Sequence, residues 1–222
     1  MRKFGISDYI AMWKQYGLKL PLFYFWENQL FDLINKTDTH KRILKSDYKD
    51  SPASFSDGVM YMASFKSVVM KTTKYIFNKE YDNFENYNLI DIGSGKGKVL
   101  IIWCRFLNKY KLKNSVYGFE YSKELYEISN KNLSITQNQN KVSLHCIDIS
   151  EGNEVFEKEN IFFLFNPFNE NVLNSFLSKI NKNSYIIYNN PQHKDLFELE
   201  GFSKLAQNKG FHPNLDWIIY KN

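Results

Sequence analysis

The chain has 222 residues, of which 43% are hydrophobic and 24% charged, and this balance is ordinary for a soluble globular protein. The length suits one well-cored domain with an appendage and is short for two domains. The net charge of +5 arises without a run of Lys and Arg long enough for a nucleic-acid-binding arm. The charge therefore suits a solvated surface or a mildly acidic partner.

Cysteines and apolar runs bear on the cellular compartment. Cys104 and Cys146 are too few and too far apart for a disulfide framework or a zinc site, so we expect buried thiols in a reducing compartment. No set of His, Asp and Glu has metal-ligand spacing, and no metal is expected. Asp8 interrupts the apolar residues near the start, and the most apolar run, 20–26, is too short to span a bilayer. We expect a cytoplasmic protein with neither a signal peptide nor a transmembrane segment.

Residues 1–85 differ in pattern from the rest and are predicted to form a helical extension packed on a core of residues 86–222. The extension has aromatic stripes and no strand alternation. Ser56 is expected to cap a helix within it. The apolar face of that helix would consist of Met62, Phe65, Val69 and Ile76. The pattern leaves open whether the extension is a substrate lid, a homodimer interface or a surface that lies on a membrane.

From residue 87 onward, strand-like and helix-like segments alternate. The predicted strands are 87–92, 115–120, 141–147, 161–166 and 184–189. The predicted helices are 98–110, a helix capped by Ser122, and 171–180. Two further strand-like segments, 202–206 and 217–220, are joined by a turn. This alternation predicts an α/β fold with a doubly wound, mostly parallel seven-stranded sheet that ends in an antiparallel C-terminal hairpin.

A glycine-rich turn, Asp91-Ile-Gly-Ser-Gly-Lys-Gly97, follows the first predicted strand. A phosphate-binding P-loop is excluded because no Gly-Lys-Ser/Thr follows at the required spacing. A dinucleotide fingerprint is disfavoured because Lys98 stands where its third glycine belongs. The remaining pattern, [D/E]-x-G-x-G-x-G, matches at every position.

This segment resembles the first motif of class I S-adenosylmethionine-dependent methyltransferases. The resemblance implies that Asp91 meets the ammonium of the cofactor and that the following helix N-terminus meets its carboxylate. The cofactor has no phosphate, so Lys96 and Lys98 are expected to face solvent. The loop residues expected to bind the cofactor are Gly93, Ser94, Gly95 and Gly97.

Two later strand ends keep the order of that family. The resemblance implies that Glu120, at the end of the second strand, accepts hydrogen bonds from both ribose hydroxyls. It likewise implies that Asp148, after the third strand, accepts the adenine amino group. Tyr121 and Ile149 would lie against the adenine ring. Carboxyl ends of parallel strands meet at one edge of the sheet, where open α/β folds bind ligands.

The acceptor side is predicted at the ends of the fourth and fifth strands. Asn166-Pro167-Phe168 is similar to the D/N-P-P-Y/F motif of amino-methyltransferases but is one proline short. Asn166 would then contact both cofactor and acceptor, with Pro167 and Phe168 beside the acceptor. Alternatively, Pro167 only ends the strand and Phe168 packs. His193 follows the fifth strand and is either a general base or a surface or capping residue.

The strand ends and the Asn-Pro-Phe segment together resemble a little-characterised bacterial group of class I methyltransferases over roughly residues 46–202. An upstream Tyr of that group is weakly matched by Tyr48, which would contact cofactor or substrate. The resemblance implies methyl transfer but does not specify the acceptor, which we expect to be a small molecule, a sugar or a protein side chain. Three alternatives stay open: amino-methylation of a nucleic-acid base, an NAD-dependent oxidoreductase, and a non-catalytic binding module on this fold.

Overall fold

A computed structural model describes residues 6–41, 61–149, 159–166, 168–180 and 183–222. Near the N-terminus lie helices α1 (Ile6–Tyr16), α2 (Lys19–Tyr24) and α3 (Leu30–Asn35), with a π-helical turn at Phe25–Gln29 between α2 and α3. Among the described residues, no helix has both the length and the apolar character needed to cross a membrane. The division at residue 85 into an extension and a core stays a prediction.

The described strands form one seven-stranded sheet in the order β3-β2-β1-β4-β5-β7-β6. The strands are β1 (Asn88–Ile92), β2 (Val116–Glu120), β3 (Val142–Cys146), β4 (Asn160–Phe165), β5 (Tyr185–Asn189), β6 (Ser203–Asn208) and β7 (Trp217–Lys221). Strands β1 to β5 pair in parallel, while β7 runs antiparallel to both β5 and β6. The predicted fold class is confirmed.

Helices alternate with these strands. They are α4 (Lys66–Lys79), α5 (Lys98–Tyr110), α6 (Lys123–Ile135), α7 (Glu170–Leu177) and α8 (Lys194–Leu199), and short 3₁₀ turns occupy Phe84–Asn86 and Pro213–Leu215. The predicted cap at Ser122 is confirmed, because its hydroxyl accepts a hydrogen bond from the Leu125 N–H at 3.3 Å. Helix α8 was not predicted, since six residues give little helical periodicity.

The predicted start of the helix capped by Ser56 is wrong. Helix α4 begins at Lys66, and Phe65 before it has extended backbone angles (φ −72°, ψ 132°). Ser56 lies outside the described residues. Residues 61–65, here called the covering segment, are extended because Tyr61 packs on the glycine-rich turn, as described below. Val69 and Ile76 of the predicted face are both fully buried.

Two apolar layers cover the two faces of the sheet. Alternate residues of β1 and β4 point to opposite layers: Leu89 and Phe163 join α4 and α5 on one side, and Ile90 and Phe162 join α7 on the other. This double covering explains why β4 is apolar at nearly every position. Trp103 of α5 is fully buried in the first layer, and its indole N–H donates to the Thr73 hydroxyl at 2.8 Å.

The expectation of two buried thiols is half wrong. Cys104 on α5 is buried, but Cys146 at the end of β3 is exposed, and neither forms a disulfide. The reason is topological, because β3 is the edge strand of the sheet, and its residues Ser143, His145 and Cys146 are exposed.

Candidate functional site

Three acidic residues lie at the carboxyl edge of adjacent parallel strands. Asp91 is the fourth residue of β1, Glu120 ends β2, and Asp148 follows β3 by two positions. The strand register pairs Asp91 with Gly118 and Glu120 with Cys146, so the three acids follow neighbouring strands at the same edge. Asp91 and Glu120 are 3% and 2% exposed, while Asp148 is half-buried.

The turn between β1 and α5 requires glycine for two separate reasons. The backbone of Gly95 and Gly97 has positive φ (53° and 80°), which strains any residue with a Cβ. A Cβ at Gly95 would also lie 2.2 Å from the Tyr61 ring, and one at Gly97 would lie 2.4 Å from the Ser129 hydroxyl. The turn is therefore packed closely from both sides.

Glu120 anchors this turn to the sheet. One carboxylate oxygen accepts a hydrogen bond from the Gly95 N–H at 2.7 Å, and the other accepts from the Ser122 N–H at 2.9 Å. The Ser94 N–H donates in addition to the Phe119 carbonyl at 2.9 Å. Sequence reasoning missed this anchoring role, which has no motif because it joins a side chain to backbone groups. Each carboxylate oxygen can accept a second hydrogen bond.

The surroundings of Asp91 differ from those of Glu120. Among the described residues, no hydrogen-bond or ion-pair partner faces its side chain. Burial, and secondly the nearby charge of Glu120, raise the pKa of the Asp91 carboxyl well above its ordinary value. A buried acid beside a second acid favours binding of a positively charged group, because a cation offsets the desolvation and repulsion of the carboxylates.

The two lysines of the turn do not face solvent, so that expectation is wrong. Lys96 and Lys98 are 0% and 2% exposed. The Lys98 ammonium group donates to the Glu27 carbonyl at 2.7 Å and to the Asn28 side-chain oxygen at 2.5 Å. Both acceptors lie on the π-helical turn, which therefore packs over the start of α5. Burial lowers the pKa of Lys98 to about 7.

Lys96 reaches the same N-terminal region by a second route. Its ammonium group donates to the Lys41 carbonyl at 2.9 Å and lies 3.7 Å from an Asp38 carboxylate oxygen. The Asn132 amide on α6 donates in turn to the Lys96 carbonyl at 3.0 Å. The glycine-rich turn is thus held between the sheet and the N-terminal region.

A narrow cleft remains between the sheet edge, the glycine-rich turn and the covering segment. On the sheet side it is lined by Asp91, Ser94, Glu120, Tyr121 and Phe165, and on the other side by the covering segment. Its volume is about 70 Å³, below the roughly 300–1,000 Å³ of small-molecule sites. The Ser94 hydroxyl is buried without a hydrogen-bond partner among the described residues. A ligand of nucleoside size therefore requires the cleft to widen.

Two of the predicted acceptor-side residues, Asn166 and His193, are linked through Tyr188, which was not predicted. The Tyr188 hydroxyl donates to the Asn166 side-chain oxygen at 3.0 Å and accepts from the His193 N–H at 3.3 Å. Asn166 has a left-handed backbone (φ 40°) directly after β4. Sequence reasoning missed Tyr188, which stands inside an apolar strand and carries no motif. Burial raises the pKa of its hydroxyl.

The other predicted site residues take varied positions. Ile149 is buried in the second apolar layer, and Tyr121 is half-buried at the cleft. Phe168 packs on Phe176 with ring centroids 6.1 Å apart, which agrees with the packing alternative. Tyr48 and Pro167 lie outside the described residues.

Comparisons with known proteins bear on the fold. No protein-family model matches the sequence, and a search of curated proteins finds no match. In structure, the methyltransferase domain of bacterial CtHen1 is similar with a TM-score of 0.50 at 13% identity, over 70% of this chain and 100% of that chain. An O-methyltransferase family 2 protein from Planctomyces limnophilus, solved with apigenin, is similar with a TM-score of 0.50 at 11% identity, over 71% and 63%. The chain has the fold of these methyltransferases.

Proposed function

We propose that the protein is an S-adenosylmethionine-dependent methyltransferase. The observation that carries this proposal is the buried carboxyl of Asp91, which lies beside Glu120 at the sheet edge and has no partner among the described residues. S-adenosylmethionine carries an ammonium and a sulfonium and supplies an electrophilic methyl group. The donor set at this edge fits such a cation.

The roles proposed for the surrounding residues follow from their positions. Asp91 would bind the ammonium, and the N–H groups at the start of α5 would bind the carboxylate of the amino-acid moiety. The unpartnered Ser94 hydroxyl is a further donor for that carboxylate. Glu120 would accept the ribose hydroxyls with its second lone pairs while it keeps the turn anchored. Asp148, Tyr121 and Ile149 are proposed to contact the adenine.

The same geometry speaks against a dinucleotide. A pyrophosphate placed on this turn would lie beside two buried carboxylates. Lys98 lines the cleft, but its ammonium group donates to Glu27 and Asn28. Like charges in a buried site repel strongly, so an anionic cofactor is disfavoured.

The acceptor is proposed to be a small molecule, a sugar or a protein side chain. The oxygen of the Asn166 amide already accepts from Tyr188, so its NH₂ group is the part available to a ligand. An NH₂ donor suits an acceptor oxygen better than an acceptor amine. Amino-methylation of a nucleic-acid base is therefore the second candidate, supported by the Asn-Pro-Phe sequence alone. His193 is proposed as the base for the acceptor proton.

We also propose that the protein is cytoplasmic. Neither Cys104 nor Cys146 forms a disulfide, and Cys146 is exposed. An exposed thiol outside a disulfide suits a reducing compartment.

Isothermal titration calorimetry with S-adenosylhomocysteine, with NAD as the competing ligand, tests the proposal. Binding of the first and not of the second is expected. The Glu120→Ala variant should lose about 1.5–3 kcal/mol of affinity, as for lost hydrogen bonds to a charged group. Glu127→Ala on the exposed side of α6 is the matched control and should bind as the wild type does. The absence of heat with S-adenosylhomocysteine at high micromolar concentration would overturn the proposal.

A further inference from the structure

A second cavity lies between the N-terminal helices and the turn that joins β6 to β7. Its volume is about 350 Å³, within the range of roughly 300–1,000 Å³ typical of small-molecule sites. Residues 8, 11, 12 and 15 of α1 form one wall at helical spacing, and the covering segment forms another. The turn closes the cavity with His212, Pro213 and Asn214.

The cavity adjoins the cleft directly. Met62 and Ala63 line both spaces, so a single extended piece of backbone separates them. If the cleft widens by outward movement of the covering segment, this partition opens as well. A molecule in the cavity would then face the ligand in the cleft.

The chemistry of the cavity wall is aromatic with a polar edge. The His212 ring packs edge-on against Tyr16, with centroids 5.1 Å apart, and against Phe65, with centroids 6.3 Å apart. The His212 Nδ1 accepts a hydrogen bond from the Asn214 N–H at 3.1 Å. Such a wall fits a flat apolar molecule that bears an oxygen substituent.

We propose that this cavity holds the methyl acceptor and that the acceptor is a planar, largely apolar small molecule with an oxygen substituent. The inference rests on the proposed function. In the transfer, a lone pair of the acceptor forms the bond to the methyl carbon while the carbon–sulfur bond breaks. The electron pair of that bond stays on sulfur, and the acceptor proton passes to the base, the role proposed above for His193.

Methionine methyl groups allow the two spaces to be observed separately. The chain has five methionines. Met12 lines the cavity, Met62 lines both spaces, and Met70 on α4 lines neither. We expect 2-naphthol, as a flat probe, to shift the ¹³C-methyl NMR signals of Met12 and Met62 but not that of Met70. S-adenosylhomocysteine should shift Met62 and leave Met12 and Met70 unmoved.

These outcomes separate the inference from the proposed function. If S-adenosylhomocysteine moves no methionine signal and gives no heat, the proposed function fails first. If it moves Met62 but 2-naphthol leaves Met12 unmoved, the cavity is not a binding site for flat molecules and the inference alone is overturned.

A transfer assay then tests whether the cavity serves the reaction. Ala11→Trp places a large ring on the cavity face of α1, and Ile10→Trp places the same ring at an exposed position of the same helix. With tritiated methyl donor and cell extract, we expect label in the solvent-extractable small-molecule fraction. The Ala11→Trp protein should transfer at least about tenfold less, with unchanged affinity for S-adenosylhomocysteine and unchanged Tm, while the Ile10→Trp protein matches the wild type. Equal transfer by both variants, or label found only in protein or RNA, overturns the inference.

Discussion

The two sides of the cleft differ in how their charged groups are satisfied. On the sheet side, Asp91 has no partner among the described residues, and Glu120 accepts hydrogen bonds from the Gly95 and Ser122 N–H groups. On the covering side, the lysines of the turn are already satisfied by carbonyl and amide oxygens of the N-terminal region. The positive charges of the turn are thus engaged by the N-terminal region, while the two acids line the cleft. Charge selection at this site depends on these lysine contacts as well as on the acids.

The largest expected effect is on the sheet side. Asp91→Asn removes the charge that would bind the ammonium, so we expect S-adenosylhomocysteine to bind at least about 3 kcal/mol more weakly, as for a broken buried ion pair. Because the folded pKa of Asp91 is raised, its ionised form destabilises the ligand-free protein above its ordinary pKa. The neutral variant should therefore have a higher Tm without ligand, by about 2–4 °C per kcal/mol gained.

Calorimetry and thermal unfolding at neutral pH measure both effects. Asp82→Asn, in an exposed loop, is the control and should change neither. A variant with wild-type affinity would remove Asp91 from the binding site. A variant with lowered Tm would show that the carboxylate stabilises the turn instead.

The Lys98→Met variant removes the contacts between the glycine-rich turn and the π-helical turn on the covering side. Two buried acceptors, the Glu27 carbonyl and the Asn28 amide oxygen, lose their donor, so we expect a loss of about 2–3 kcal/mol in the free energy of unfolding. The pH dependence gives a second signature. The folded pKa of Lys98, about 7, is below its unfolded value, so the unfolded state binds more protons between the two and stability rises with pH through that window.

Denaturant unfolding at pH 7 and pH 9 checks this prediction. The wild type should gain about 1–2 kcal/mol from Lys98 over that interval, after allowance for relaxation around the site. The variant should lack that gain. Lys74→Met, on the exposed side of α4, is the control and should follow the wild type. Parallel pH profiles of the Lys98 variant and the wild type would contradict a buried lysine with a lowered pKa.

A pair of substitutions tests the contact between Gly95 on the turn and Tyr61 on the covering segment. Gly95→Ala introduces a Cβ at positive φ and within 2.2 Å of the Tyr61 ring, so it should cost about 1–3 kcal/mol of stability. Tyr61→Ala in the same chain removes the clash and leaves only the backbone strain. A double-mutant cycle in urea should therefore give a favourable coupling of about 1 kcal/mol. Additive effects would mean that Tyr61 does not pack on the turn.

The residues that sequence reasoning placed correctly are those whose role is local. The strand-to-turn-to-helix pattern around Asp91 and the capping serine Ser122 depend on neighbours within a few positions, so spacing alone predicted α5 from its first to its last residue. Glu120 was placed at the right strand end, but its bond to Gly95 spans 25 positions and no pattern announces it.

The errors came from contacts between distant segments. Lys98 bonds to a residue 71 positions earlier and Lys96 to one 55 positions earlier, so both lysines looked solvated in their own sequence context. The start of α4 was predicted too early for the same reason. Residues 61–65 have helical spacing, but the packing of Tyr61 on the turn holds this segment extended.

The π-helical turn at Phe25–Gln29 sets the rotational phase of the helix that follows it. A π turn inserts one residue into the helical winding, and one residue corresponds to about 100° of rotation. With that insertion, Phe31 and Asp32 of α3 are buried and Leu33 and Ile34 face outward. Deleting a single residue from the turn would rotate α3 by the same angle, turning Asp32 away from the Thr39 hydroxyl and backbone that it binds at 2.7 Å. The number of residues in this one turn therefore sets how the side chains of α3 are oriented in the N-terminal region that packs on the glycine-rich turn.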